Sequence, residues 1–136
     1  MTASERLPLI ETEMAAHGHS IIEIAKVGGK WQVMQESSYN RRITILQTEI
    51  AISGPAAGHD RLRTSTDPSG RKAIGTLNNC AGGVTPWGTV LTAEENIQGY
   101  FVGDPLNTPE TRNLKRFGFG RPWFDWGKHV DRFNIE

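Results

Sequence analysis

The chain contains a single thiol, Cys80, set in the glycine-rich stretch Gly75-Thr76-Leu77-Asn78-Asn79-Cys80-Ala81-Gly82-Gly83. A short apolar run, Val90 and Leu91, then delivers two adjacent carboxylates, Glu94 and Glu95. A soft sulfur and hard oxygens therefore lie on the two sides of one tight turn. Thiolate selects soft or borderline metals and carboxylate selects hard ones, so the group reads as half of a metal site. Asn78 and Asn79 add side-chain carbonyls of the kind that suits calcium. In a strand, neighbouring residues point to opposite faces, so only one of Glu94 and Glu95 serves a given face unless the strand ends there. The alternative is a small buried cysteine with two solvated carboxylates, because a lone cysteine packs well as a small hydrophobe.

Other groups could carry chemistry. Arg41 and Arg42 are adjacent, and arginine suits bidentate recognition of phosphate. They also suit the charged edge of an exposed strand. His17 and His19 form a His-x-His pair that would share one face of an extended segment, and His59 stands apart. Surface or packing roles are the simpler account of these histidines. Arg61, Arg63, Arg71 and Lys72 make a locally basic zone that reads as a solvated face. There is no phosphate-binding loop, dinucleotide fingerprint, Gly-x-Ser-x-Gly or Cys-x-x-Cys in the sequence.

Positioning these residues falls to a chain of 136 residues, room for one domain of ordinary size. Its formal net charge is zero, which removes any global electrostatic case for nucleic acid or an anionic membrane surface. Hydrophobic residues make up 37%, below the roughly 45–50% typical of globular chains on a count that includes glycine. The 15 glycines close most of that gap, so the chain reads as globular and rich in turns. No apolar run approaches the ~18 residues that span a bilayer, and the start of the chain lacks the pattern of a signal peptide. One cysteine leaves the redox compartment open.

The patterning predicts short strands and hairpins. A short helix is expected over residues 9–16, ended by Gly18. Residues 20–27 read as one strand, followed by Gly28-Gly29 and a second strand over residues 30–36. Two apolar runs joined by Gly-Gly predict a hairpin with a primed turn. Residues 41–46 read as a strand that residues 48–52 extend or follow. Asp67-Pro68-Ser69-Gly70 predicts a type I turn joining residues 62–65 to residues 71–75 in a second hairpin. Residues 88–95 read as a strand. A short helix is expected near 109–116, with Thr108 as its cap and Gly118 as its end. Trp123, Phe124, Trp126 and Phe133 show no period and are expected to need cover from a partner chain or further protein. The fold class predicted is all-β: a sandwich, barrel or propeller.

The stretch from Gly75 to Gly83, with Thr85-Pro86-Trp87-Gly88-Thr89 and Glu94-Glu95-Asn96, resembles the signature of the PhoX family of bacterial alkaline phosphatases. His17-Gly18, Tyr39-Asn40-Arg41-Arg42-Ile43-Thr44 and Gly54-Pro55-Ala56-Ala57-Gly58-His59 resemble that family in the same order. The likeness spans residues 13–101 and extends loosely into the aromatic tail. It implies a β-propeller, export to the periplasm or beyond, and hydrolysis of phosphate monoesters by attack of a metal-activated oxide or hydroxide. It also implies an iron(III) and calcium cluster, with Cys80 as an iron ligand and Glu95, or else Glu94, as a further metal ligand. Family members are several times longer, and later blades supply more acidic ligands. The chain is therefore expected to be a single fragment over residues 1–136, inactive without the remainder of the propeller. The competing expectations are a non-catalytic propeller that binds a partner and a calcium-stabilised structural module.

Overall fold

The computed structural model describes residues 2–136. The first element, α1 (Ala3–Ala16), is longer than the helix expected over residues 9–16. Its extra turns come from a capping box. The Thr2 hydroxyl accepts from the Glu5 N–H, and the Glu5 carboxylate accepts from the Thr2 N–H at 2.8 Å. Pro8 lies inside the helix and removes one backbone donor without stopping it. At the other end the Arg42 guanidinium donates to the carbonyls of Ala15 at 3.2 Å and Ala16 at 2.9 Å, which have no partner further along the helix.

The chain divides into two compact units. One comprises residues 14–77. In it, β1 (Gly18–Ile21) pairs antiparallel with β4 (Arg41–Thr44), and between them β2 (Ile24–Val27) and β3 (Lys30–Val33) form a hairpin. Gly28 and Gly29 take φ of +58° and +80°, the primed turn expected from Gly-Gly. The single strand expected over residues 20–27 is broken. The Glu23 N–H donates to the Asn40 side chain at 2.8 Å, and its carboxylate accepts from the Ser37 hydroxyl. The chain changes partner there, from β4 to β3. Residues 41–52 likewise give two strands, β4 and β5 (Glu49–Ala51).

The expected hairpin around Asp67 does not form. The turn itself does, but β6 (Lys72–Ile74) pairs with β5. Residues 62–65 are not a strand, and Leu62 belongs to a 3-10 turn, Asp60–Leu62. The cause is local. The Asp67 carboxylate accepts from the Ser69 hydroxyl at 2.5 Å, from the N–H groups of Lys72 and Arg71, both at 2.7 Å, and from the Ser69 N–H at 3.1 Å. These bonds hold its carboxyl at about 2. They also engage donors that a hairpin partner would need, while the Lys72 ammonium pairs with Glu49 at 2.9 Å.

The other unit takes the chain up to Glu13 together with Asn78–Glu136. It holds the hairpin of β7 (Asn79–Val84) and β8 (Val90–Glu94), a 3-10 turn at Ile97–Tyr100, and α2 (Thr111–Arg116). Thr108 caps the turn before α2, accepting from the Glu110 N–H at 3.2 Å, so the helix starts later than expected. It closes in a Schellman pattern, with Phe119 N–H on Leu114 and Gly118 N–H on Lys115. Of the tail aromatics, Trp126 and Phe133 find their cover within this unit and Phe124 is half-buried, whereas Trp123 stays exposed. Trp126 is fully buried and Phe133 and Tyr100 nearly so. Tyr100 stacks on Phe124 at 4.7 Å and tilts against Trp126 at 5.0 Å, and Trp126 meets Phe133 edge-on. Each sheet is a two-stranded antiparallel ribbon, and among the described residues none closes into a barrel.

Candidate metal centre

The β7–β8 hairpin brings the predicted residues together through an irregularity. Asn79 pairs with Glu94, but the next pair is Ala81 with Ala93, so Cys80 is left over as a bulge. A bulge takes one residue out of the ladder and re-aims its side chain. Cys80 is exposed, and its thiol donates to the Asn78 carbonyl at 3.3 Å. The same carbonyl accepts from the Glu95 N–H at 3.0 Å, and the Asn78 amide donates to the Glu95 carbonyl. Asn78 holds this position at φ +48°, in the left-handed region that asparagine tolerates. Sulfur and glutamate thus meet at one main-chain oxygen.

β8 ends at Glu94, so strict alternation does not reach Glu95. Both glutamates are exposed, and the Glu95 carboxylate accepts from the Asn96 amide at 3.1 Å. Asn79 donates to the Thr92 hydroxyl at 3.2 Å, while its own carbonyl oxygen is buried without a hydrogen-bond partner. The orphaned Asn79 oxygen is a hard donor and the Cys80 thiol, one residue on in the chain, a soft one, the two donor types that the implied cations take. Among the described residues, no three His, Cys, Asp or Glu side chains are grouped to hold a metal ion. The residues present therefore fit part of a donor set.

His17, His19, His59, Arg41 and Arg42 all belong to the other unit. Arg42 ties down the end of α1, and Arg41 donates to the Tyr39 carbonyl at 3.0 Å. His59 caps its 3-10 turn by accepting from the Arg61 N–H at 3.2 Å. His19 lies in β1 opposite Ile43, with Nε2 buried and without a hydrogen-bond partner.

One polar cluster escaped the sequence reading. Arg6 donates to Asp125 at 2.6 Å and to Glu13 at 3.0 Å, and Glu13 accepts from the Trp126 indole N–H at 2.6 Å. The Arg6 guanidinium holds both carboxyls below their ordinary values and is itself raised. Burial pushes the Tyr100 hydroxyl up, and the nearby Cys80 adds to that shift. The signal for this cluster lay in Thr2 and Glu5, whose spacing starts the helix that carries Arg6 and Glu13.

The family model described as Alkaline phosphatase PhoX matches residues 2–136. The chain belongs to the PhoX family. Among solved structures, that of Pseudomonas fluorescens PhoX in complex with vanadate, a transition state analogue, is similar at 41% identity with a TM-score of 0.79. The match covers 90% of this chain and 21% of that one, so the chain spans about a fifth of the length of this PhoX relative. No curated protein matches the chain. The short antiparallel hairpins are thus a part of a PhoX fold. No described helix is long and apolar enough to cross a membrane.

Proposed function

We propose that this PhoX-family chain carries part of the metal site of an exported phosphatase that hydrolyses phosphate monoesters, its hairpins forming part of a β-propeller. The observation that supports this most directly is the meeting of Cys80 and Glu95 on the Asn78 carbonyl. Vanadate in the P. fluorescens structure motivates a phosphate ester as the substrate here.

In this reading Cys80 is a ligand of iron(III), and Glu95, in preference to Glu94, is a further metal ligand. The buried Asn79 oxygen suits calcium. Bound cations would neutralise the phosphate oxygens and activate the attacking oxygen. The chain's own part is to present sulfur and carboxylate at fixed separation from a bulged strand. With no third acidic, cysteine or histidine side chain joining them among the described residues, the chain alone is expected to lack useful phosphatase activity.

Two measurements test this. The purified chain, given an aryl phosphate with iron and calcium, should show no metal-dependent turnover, and robust turnover would overturn its dependence on further protein. In the full-length homologous protein, the equivalent of Cys80→Ala should lose iron and activity together. Unchanged metal content would instead favour a non-catalytic propeller or a calcium-stabilised module.

A further inference from the structure

Among the described residues the strands form four two-stranded ribbons, and one of these differs from the rest in charge. β4 carries Arg41 and Arg42, the β2–β3 hairpin carries Lys26 and Lys30, and β5 and β6 carry Glu49 and Lys72. Charges on a strand guard its open edge against pairing with another chain. The β7–β8 ribbon has no charged residue from Ala81 to Ala93, and Glu94 stands only at the end of β8.

The two edges of this ribbon are unequal. β7 holds Gly82 and Gly83 and is bulged at Cys80, and both features weaken further pairing. β8 reads Val90-Leu91-Thr92-Ala93-Glu94, and all five residues are exposed. Its central residues have no side chain facing them within the ribbon. Leu91 stands opposite Gly83, and Thr92 opposite Gly82. A Cβ on Gly83 would meet nothing within 4 Å, so the space beside Leu91 is open. Cross-strand side-chain pairs stabilise a sheet, and a lone two-stranded ribbon is marginal in water. β8 thus has an uncharged open edge and side chains still to be paired.

β8 is also complementary to itself. Two copies set antiparallel about a two-fold axis at Leu91 place Leu91 opposite Leu91 and Val90 opposite Thr92. Glu94 of one copy then lies opposite Gly88 of the other, so like charges do not meet. A strand from a different protein would need a matching uncharged sequence, whereas a second copy always carries one. We propose that β8 is a self-association edge, on which a second copy of this chain pairs about Leu91 to give a four-stranded sheet. The bulged, glycine-bearing β7 strands then lie on the outside, where they stop the assembly at two. None of this rests on Cys80 binding a metal.

Sedimentation of the purified chain over a range of concentrations tests this. The wild-type chain should run at twice the monomer mass and dissociate on dilution. Leu91→Lys and Leu91→Glu each set like charges face to face at the two-fold axis, and each should be monomeric with far-ultraviolet circular dichroism unchanged. Mixing the two should restore a dimer containing one of each, which a general loosening of the fold would not do. Val27→Lys, an equally exposed change on the β2–β3 hairpin, should leave the dimer intact. In a Cys80→Ser background, Leu91→Cys should cross-link to a second copy under diamide, and this carries the test if Leu91→Lys does not fold. A dimer that survives Leu91→Lys, or a Leu91→Cys chain that does not cross-link, would overturn pairing about Leu91. Assemblies that grow beyond two would overturn the closed sheet. A wild-type chain that stays monomeric would overturn self-pairing and leave the edge to a strand of another protein.

Discussion

The β7–β8 hairpin and the C-terminal tail lie in one unit and make opposite use of their large side chains. On the hairpin, Trp87 is 78% exposed, and Val84, Val90 and Leu91 are also exposed. In the tail, Trp126 is wholly buried and Phe133 is 2% exposed, with Trp123 the exception at 61%. The tail has almost no regular structure, only two 3-10 turns, yet it holds the core. The hairpin has the regular ladder, yet buries little and displays Cys80. Stability and chemistry are thus divided between neighbouring segments, and regular secondary structure is no guide to which carries which.

The sharpest way to break this comparison is to truncate one tryptophan in each region. Trp126→Ala should cost about 3–5 kcal/mol, as for other fully buried aromatics. Trp87→Ala should fall within about 0.5 kcal/mol of wild type, as for surface positions. Chemical denaturation of the two variants measures both, and similar costs would erase the distinction.

Next in size is the cap of α1, the helix that brings Arg6 and Glu13 to the tail. Thr2→Ala removes the side chain that accepts from the Glu5 N–H and should cost about 1 kcal/mol. The loss should appear in the melting transition of the tail. A melt unchanged by Thr2→Ala would mean that the first turn of α1 is not coupled to the core.

The smallest effect is one of pH. Glu13 and Asp125 titrate below their ordinary values of 4.5 and 3.8, chiefly because Arg6 donates to them. A carboxyl depressed on folding adds stability that is complete above its unfolded value and fades as pH falls through its folded one. The melting temperature should therefore drop below the range of those unfolded values. Arg6→Gln should flatten that drop. A residual slope is expected from Asp67, which sits at about 2 in the other unit, and Asp67→Asn should remove it.

Features encoded by neighbouring residues were legible in the sequence. The Gly28-Gly29 turn and the β2–β3 hairpin follow from the conformations that two consecutive glycines permit. That the Cys80 strand and the strand ending at Glu94 lie side by side was visible because the intervening Thr85–Gly88 segment folds back on itself, with Gly88 N–H on the Thr85 carbonyl. What was not legible depended on distant partners. Lys72–Ile74 looked ready to pair across the Asp67 turn, but pairs with Glu49–Ala51, more than twenty residues earlier. The tail shows no period because its rings pack on Tyr100 and Phe101 rather than along one face. The bulge at Cys80 is silent in a strand with two adjacent glycines, where alternation carries no register. Thr2 and Glu5 have the spacing of a capping box, and they start α1 at Ala3, ahead of the start expected at residue 9.

The joint between thiol and glutamate is a main-chain atom, the Asn78 oxygen. That oxygen stays in place for any residue at position 78 that tolerates φ of +48°, as asparagine does. Severing its bond to residue 95 requires losing an amide hydrogen, which only proline lacks, and proline there would also delete the carboxylate. Sequence drift therefore cannot keep the acid while unfastening it from the sulfur by any single exchange at position 95.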